Sequence, residues 1–214
     1  KRIALSGTPV TTTLLAHHNL YRVANEGEPV LSRPGTEWLN PFVQTIEAEG
    51  FTQWLHTPPE PVGRDDAFYA SVAKIFDEEG VLLVGGSDAG IFTNIPGRSL
   101  IDELELLVAA GLSPYRALQT ATFNSSRVLD EPDRGCLTEG CVADVALYAC
   151  DPLADIRCLQ RPSSVILEGR HFDRAALDAL LESAATTNVS RTETNLFSGL
   201  GAQGTSLEGL VPGT

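Results

Sequence analysis

Methionine is absent from the 214 residues, position 1 included. The chain as given is therefore expected to be processed, trimmed or a piece of something longer. Basic residues are scarce: 15 Lys and Arg stand against 28 Asp and Glu, a formal net charge of -13. That argues against nucleic acid as a partner, because phosphate contacts need a basic footprint. It argues equally against a polybasic hold on a membrane. Long apolar runs are missing too. Val81-Leu82-Leu83-Val84, the longest strong one, falls far short of the roughly 18 residues of a membrane span. Ile3-Ala4-Leu5 falls short of the roughly 7–15 apolar residues of a signal peptide. The expected location is the cytoplasm. Cysteine is confined to Cys136, Cys141, Cys150 and Cys158. With no Cys-x-x-Cys pair and no His among them, a zinc ribbon is excluded on spacing. An even count allows two disulfides, but a chain with its own core does not need them, and buried thiols are the favoured reading.

What is present is a globular composition, 43% hydrophobic and 20% charged, at a length that suits one or two domains. Thr8–Leu15 is β-branched and reads as a strand, with His17 and His18 after its end. Residues 25–61 are broken by glycine and proline, apart from a short helix from Pro41 to Glu49. Connections of that length are functional or disordered, and Trp38 and Trp54 favour an ordered lid or wall. Asp65-Asp66 opens a helix whose apolar stripe is Phe68, Tyr69, Val72, Ile75 and Phe76. Val81–Gly86 follows as a run suited to a strand buried in a parallel sheet. Ser99 and Asp102 resemble a capping box, and Ser113-Pro114 an N-cap with proline at the first helical position. Beyond residue 130 the texture turns β-rich: a strand at Val142–Tyr148, a turn at Asp155–Leu159, and a hairpin about Glu168-Gly169. A helix over Ala175–Ala184 precedes a Thr-, Ser-, Asn- and Gly-rich tail, residues 183–214, expected to be disordered.

The sharpest chemical feature is Asp88. A carboxylate directly after a buried parallel strand lies at the C-terminal edge of the sheet, where open α/β sheets and α/β barrels place their sites. Gly85, Gly86 and Gly90 allow close approach of backbone to a ligand or metal. The alternative is an aspartate that merely ends the strand in an Asx-turn. Gly85–Gly90 is a poor match to the dinucleotide-binding glycine pattern, which sets a doubly wound nucleotide fold aside.

Several motifs in order carry a resemblance. Val81–Gly90 is followed by Pro96-Gly97-Arg98-Ser99-Leu100, then Glu103–Leu118 and Ala121–Leu129. Gly135–Leu147, Asp151–Ile156 and Val165–Arg170 complete the series. Together they resemble the amidohydrolase superfamily of metal-dependent hydrolases, in its imidazolonepropionase-like and prolidase-like branch, over residues 65–172. The resemblance implies an α/β fold: the C-terminal part of a TIM-type (β/α)8 barrel, residues 1–130, and part of a small β-sandwich domain, residues 131–182. It implies hydrolysis of C–N bonds, amide or cyclic amide, in a small-molecule substrate. Asp88 would be both the metal ligand and the catalytic group that takes the proton of the hydrolytic water. The cofactor would be a divalent metal, zinc before others. His17, after the penultimate strand, and Arg98, after Asp88, are candidate substrate-binding residues. A homo-oligomer is a further expectation. The departure from the family is equally plain. The His-x-His pair of its first strand is absent, and the four histidines are His17, His18, His56 and His171. The segment before Thr8 is too short for the earlier strands, so the chain is expected to begin near the seventh. The alternative is a catalytically inactive remnant that serves as a binding or structural module.

Overall fold

The computed structural model describes residues 1–52, 54–90, 94–186 and 189–204. The chain opens with α1 (Arg2–Ser6), β1 (Val10–Thr12) and α2 (Leu14–Glu26). Two short 3-10 turns, Glu28–Ser32 and Thr36–Trp38, lead to α3 (Pro41–Phe51) and α4 (Pro59–Glu78). Then come β2 (Leu83–Gly85), α5 (Arg98–Ala110), α6 (Pro114–Ala121) and α7 (Phe123–Val128). The remainder is β3 (Val145–Leu147), a 3-10 turn at Ile156–Gln160, β4 (Ser164–Leu167), β5 (Arg170–Asp173), α8 (Arg174–Ala185) and α9 (Val189–Ala202).

β1 and β2 run parallel, pairing Val10 with Leu83, Thr11 with Val84 and Thr12 with Gly85. Parallel strands need a long crossover, and here α2, α3 and α4 supply it. The first strand is shorter than the β-branched run suggests, because the chain turns at Thr13 and is helical from Leu14. Helices α5, α6 and α7 pack against β2, and α2 and α4 pack on α5. Their common core is Leu14, Ala73, Val81, Leu83, Leu104, Leu107, Leu112, Ala117, Ile156 and Leu159. A satellite core of Val23, Val30 and Phe51, with Trp54 against it, orders the glycine- and proline-broken stretch that was expected to be irregular.

Helix α4 turns its predicted stripe partly outward. Ala73 is buried while Phe68 and Ile75 are 61% and 53% exposed, because α4 meets α2 and α5 through its Ala73 and Phe76 side. Proline at Pro59 and Pro61 is harmless, since the first turn of a helix has no intrahelical use for those N–H groups. The capping box at Ser99 is not formed. Gly97 is the N-cap of α5, two residues before Ser99, and Asp102 is drawn to Arg98 instead.

The second sheet is an antiparallel meander, β3-β4-β5. Its 3-10 turn inserts Ile156 and Leu159 into the main core, which docks the β-rich part on α5. The cysteines are not thiols. Cys136 pairs with Cys141 and Cys150 with Cys158, at Cα separations of 6.0 and 5.9 Å, distances a disulfide spans without moving the backbone. Residues 183–204 hold the end of α8 and helix α9, where Asn40 Nδ2 donates to Thr192 Oγ1 at 2.9 Å. Residues 205–214 of the expected disordered tail lie outside the described residues. Among the described residues no helix is long and apolar enough to cross a membrane.

Candidate active site

The C-terminal ends of β1 and β2 set the site. The strands approach closely because residue 86 has no side chain. A Cβ there would lie 2.7 Å from Thr11 Cγ2 and 3.0 Å from the Thr12 carbonyl oxygen. Gly86 N–H donates to that same oxygen at 2.8 Å, so the pairing runs to the strand end. Two residues later comes Asp88, exposed and with φ of +49°. Left-handed backbone at a non-glycine residue is uncommon, though Asp tolerates it better than most.

Buried polar groups hold this turn. Asn94, 2% exposed, donates from Nδ2 to the carbonyl of Ser87 at 2.6 Å and to that of Asp88 at 3.3 Å. Asn94 Oδ1 accepts from Asn19 Nδ2, and Asn19 Oδ1 accepts from Arg33 Nη1 at 3.1 Å. The Ser99 and Ser87 hydroxyls meet at 3.0 Å. Below the turn Glu103, with no exposed surface, accepts from the N–H groups of Leu14 at 3.1 Å and Leu15 at 2.8 Å. It thereby serves the first turn of α2, where Thr13 makes no side-chain cap. Burial pushes the Glu103 carboxyl up from its ordinary value, and the two N–H donors and Thr12 pull it part of the way back.

His17 and His18 lie on α2. His17 stacks on Tyr69 with ring centroids 4.1 Å apart. His18 Nδ1 is 3.1 Å from Asp66 Oδ2. Arg98 pairs through Nε with Asp102 Oδ1 at 2.9 Å. It lines a cleft of about 380 Å³ between α2 and α5, together with His18, Asn19, Arg22, Arg33 and Asp102. Neither Asp88 nor His17 lines that cleft. His56 and His171 are exposed, and His171 belongs to β5 of the second sheet.

Asp88 was legible from its strand. Asn19, Arg33, Asn94 and Glu103 were not singled out, although two of them left a trace. Asn19 falls in register with Leu15 and Val23, and Glu103 with Leu100, Leu104 and Leu107, so each is a polar residue on an apolar stripe. A resident divalent ion needs several donors converging on one point. Among the described residues no three His, Cys, Asp or Glu side chains do so. These residues by themselves do not fit a metal centre; Asp88 is a single carboxylate at an open strand end.

A parallel strand pair, wrapped by its crossover helices and carrying an aspartate beyond its C-terminal edge, defines part of a TIM-barrel-like α/β fold. The chain belongs to the amidohydrolase family: the family's model matches residues 39–171, more than half of it. In sequence it is similar to the imidazolonepropionase of Idiomarina loihiensis, 31% identical over 88 residues, which cover 39% of this chain and 20% of that one. In structure it is similar to a bottromycin amidohydrolase, with a TM-score of 0.68 at 25% identity over 85% of this chain and 41% of that one. It is also similar to a putative prolidase from Bifidobacterium longum, with a TM-score of 0.54 at 29% identity over 83% and 39%. The branch is thus the imidazolonepropionase-like and prolidase-like one. The chain spans about a quarter or less of the length of the curated relatives it matches, 24% and 20%.

Proposed function

We propose that this chain is the C-terminal portion of a metal-dependent hydrolase that cleaves C–N bonds, amide or cyclic amide, in small molecules. The observation that carries the reading is Asp88, an exposed carboxylate held just past the C-terminal end of a parallel strand. Family membership supports it, as do the relatives named imidazolonepropionase, prolidase and amidohydrolase. In this reading a carboxylate oxygen of Asp88 takes the proton of the attacking water and later gives it to the leaving nitrogen. The C–O bond forms, the C–N bond breaks, and Asp88 returns to its starting state. Asp88 would also be a ligand of a divalent ion, zinc before others, and the remaining ligands would come from preceding barrel strands. His17 lies in the first turn of α2, which follows β1, and Arg98 is the first residue of α5, which follows β2; that placement supports their assignment to substrate contact. The three-stranded sheet would be part of a β-sandwich.

A second reading is a non-catalytic binding or structural module. The lack of three convergent metal donors among the described residues favours it. One experiment separates the two. The protein is expressed from its whole reading frame, its divalent metal content is measured, and hydrolysis of dipeptides, N-acyl amino acids and cyclic amides is assayed. Metal uptake and amide hydrolysis are expected, with Asp88→Asn lowering kcat by about 10²–10⁴-fold and Arg98→Ala acting on KM. An inactive, metal-free protein would favour the module.

A further inference from the structure

Asp88 is exposed, yet its backbone is fixed by groups that are not. Left-handed backbone at a non-glycine residue carries a cost that the surrounding structure has to offset. The surroundings here are two carboxamides, Asn19 at 0% and Asn94 at 2% exposure. Asn19 decides which way round Asn94 sits. With Asn94 Oδ1 engaged by Asn19 Nδ2, the group Asn94 turns to the loop is its NH₂, and that NH₂ reaches the carbonyls of both Ser87 and Asp88. Arg33 Nη1 donates to Asn19 Oδ1 and so holds Asn19 in its turn. Gly90 N–H closes the loop onto the Asn94 carbonyl at 2.9 Å. The strand end does not need this apparatus. Gly86 N–H is already bonded to the Thr12 carbonyl, and Asn124 Nδ2 already serves the Leu83 carbonyl at 2.8 Å.

We propose that Asn94, oriented by Asn19 and Arg33, is a positioning residue for Asp88. By gripping the carbonyls of Ser87 and Asp88 it sets the direction in which the Asp88 carboxylate leaves the end of β2. The proposal rests on the role given to Asp88 above. Asn94→Asp keeps the side-chain shape, removes both N–H donors and sets an oxygen against two carbonyl oxygens. In the protein expressed from its whole reading frame, kcat per folded molecule is expected to fall about 10–100-fold with KM unchanged. Amide hydrogen exchange at residues 87–90 is expected to quicken while that of α5 stays as it was. Asn19→Asp acts in the same direction, because it deprives Asn94 of the donor that orients it. Arg33→Lys carries the test if neither of those variants folds. Asn124→Asp is the control: it disturbs another buried asparagine bonded to the same strand, and lowers the unfolding midpoint without changing kcat of the folded fraction.

If Asn94→Asp behaves like that control, with kcat per folded molecule and exchange at residues 87–90 both unchanged, the positioning role is overturned. If the wild-type protein hydrolyses no amide and takes up no metal, the hydrolase reading fails instead. Exchange then still decides whether Asn94 holds the turn: unaltered rates in Asn94→Asp reject it, and faster rates retain it.

Discussion

A carboxylate with no exposed surface keeps its charge only where donors replace the water it has lost. Glu103 has donors in the Leu14 and Leu15 N–H groups, but burial outweighs them and its carboxyl stays raised. The folded state therefore binds this proton more tightly than the unfolded chain does. The resulting stabilisation is complete below the ordinary glutamate value and is lost as pH rises through the raised one. Glu103→Gln removes the titration and sets an NH₂ against one backbone N–H. It is expected to cost about 1–3 kcal/mol, with a gap from wild type that narrows as pH rises. Urea unfolding of both proteins across that range measures it. In the sequence Glu103 stands out only as a charge on the apolar stripe of α5, with nothing to name its partner. Only the arrival of the α2 N-terminus beside it, 88 and 89 residues earlier in the chain, makes it a cap.

Where an element's end is decided locally, the residues announce it. Ser113 caps α6 by accepting from Arg116 N–H, with Pro114 at the first helical position, as the Ser-Pro pair predicts. The hairpin about Glu168-Gly169 forms because both residues take positive φ, 48° and 79°, the backbone a tight two-residue turn requires. Local reading stops where a neighbouring element intervenes. Ser99 has the chemistry of a cap, but it lies inside α5, and its hydroxyl meets Ser87. Gly135 marks another such place. It has φ of +69°, and a Cβ would fall 2.7 Å from the Thr122 carbonyl carbon and oxygen. Gly135→Ala thus combines backbone strain with a clash against main chain that cannot step aside. It is expected to destabilise by more than about 1 kcal/mol, read as a lower urea midpoint with the secondary structure retained.

Across the whole molecule the two disulfides have unequal work. Each closes a short loop, worth about 2 kcal/mol by loop-closure entropy. Cys136–Cys141 ties an exposed turn, whereas Cys158 is buried in the 3-10 turn that sends Ile156 and Leu159 into the main core. Cys158→Ser is therefore expected to lower the thermal midpoint more than Cys136→Ser. Full reduction should loosen the three-stranded sheet before the α2–α6 core melts. Thermal unfolding with and without dithiothreitol gives the comparison. Disulfides persist in oxidising surroundings, so the same experiment reports the stability the protein would have in the cytoplasm expected from its sequence.

The amino-acid order alone determined most of the elements, because helical and strand periodicity is written in neighbours a few residues apart. It also marked Asp88, because a buried run ending in Gly-Gly-Ser-Asp declares a strand end in one short segment. Tertiary structure alone decided the partners. The cysteine pairing was one such choice, since four thiols in one short region allow several connectivities and the fold brings Cys136 to Cys141 and Cys150 to Cys158. The outward turn of Phe68 and Ile75 depended on which neighbours α4 met. Asn19 and Asn94 are 75 residues apart, and Arg33 is 14 from Asn19. A buried amide reveals its role only through the group it faces, and that group is chosen by packing rather than by any pattern along the chain.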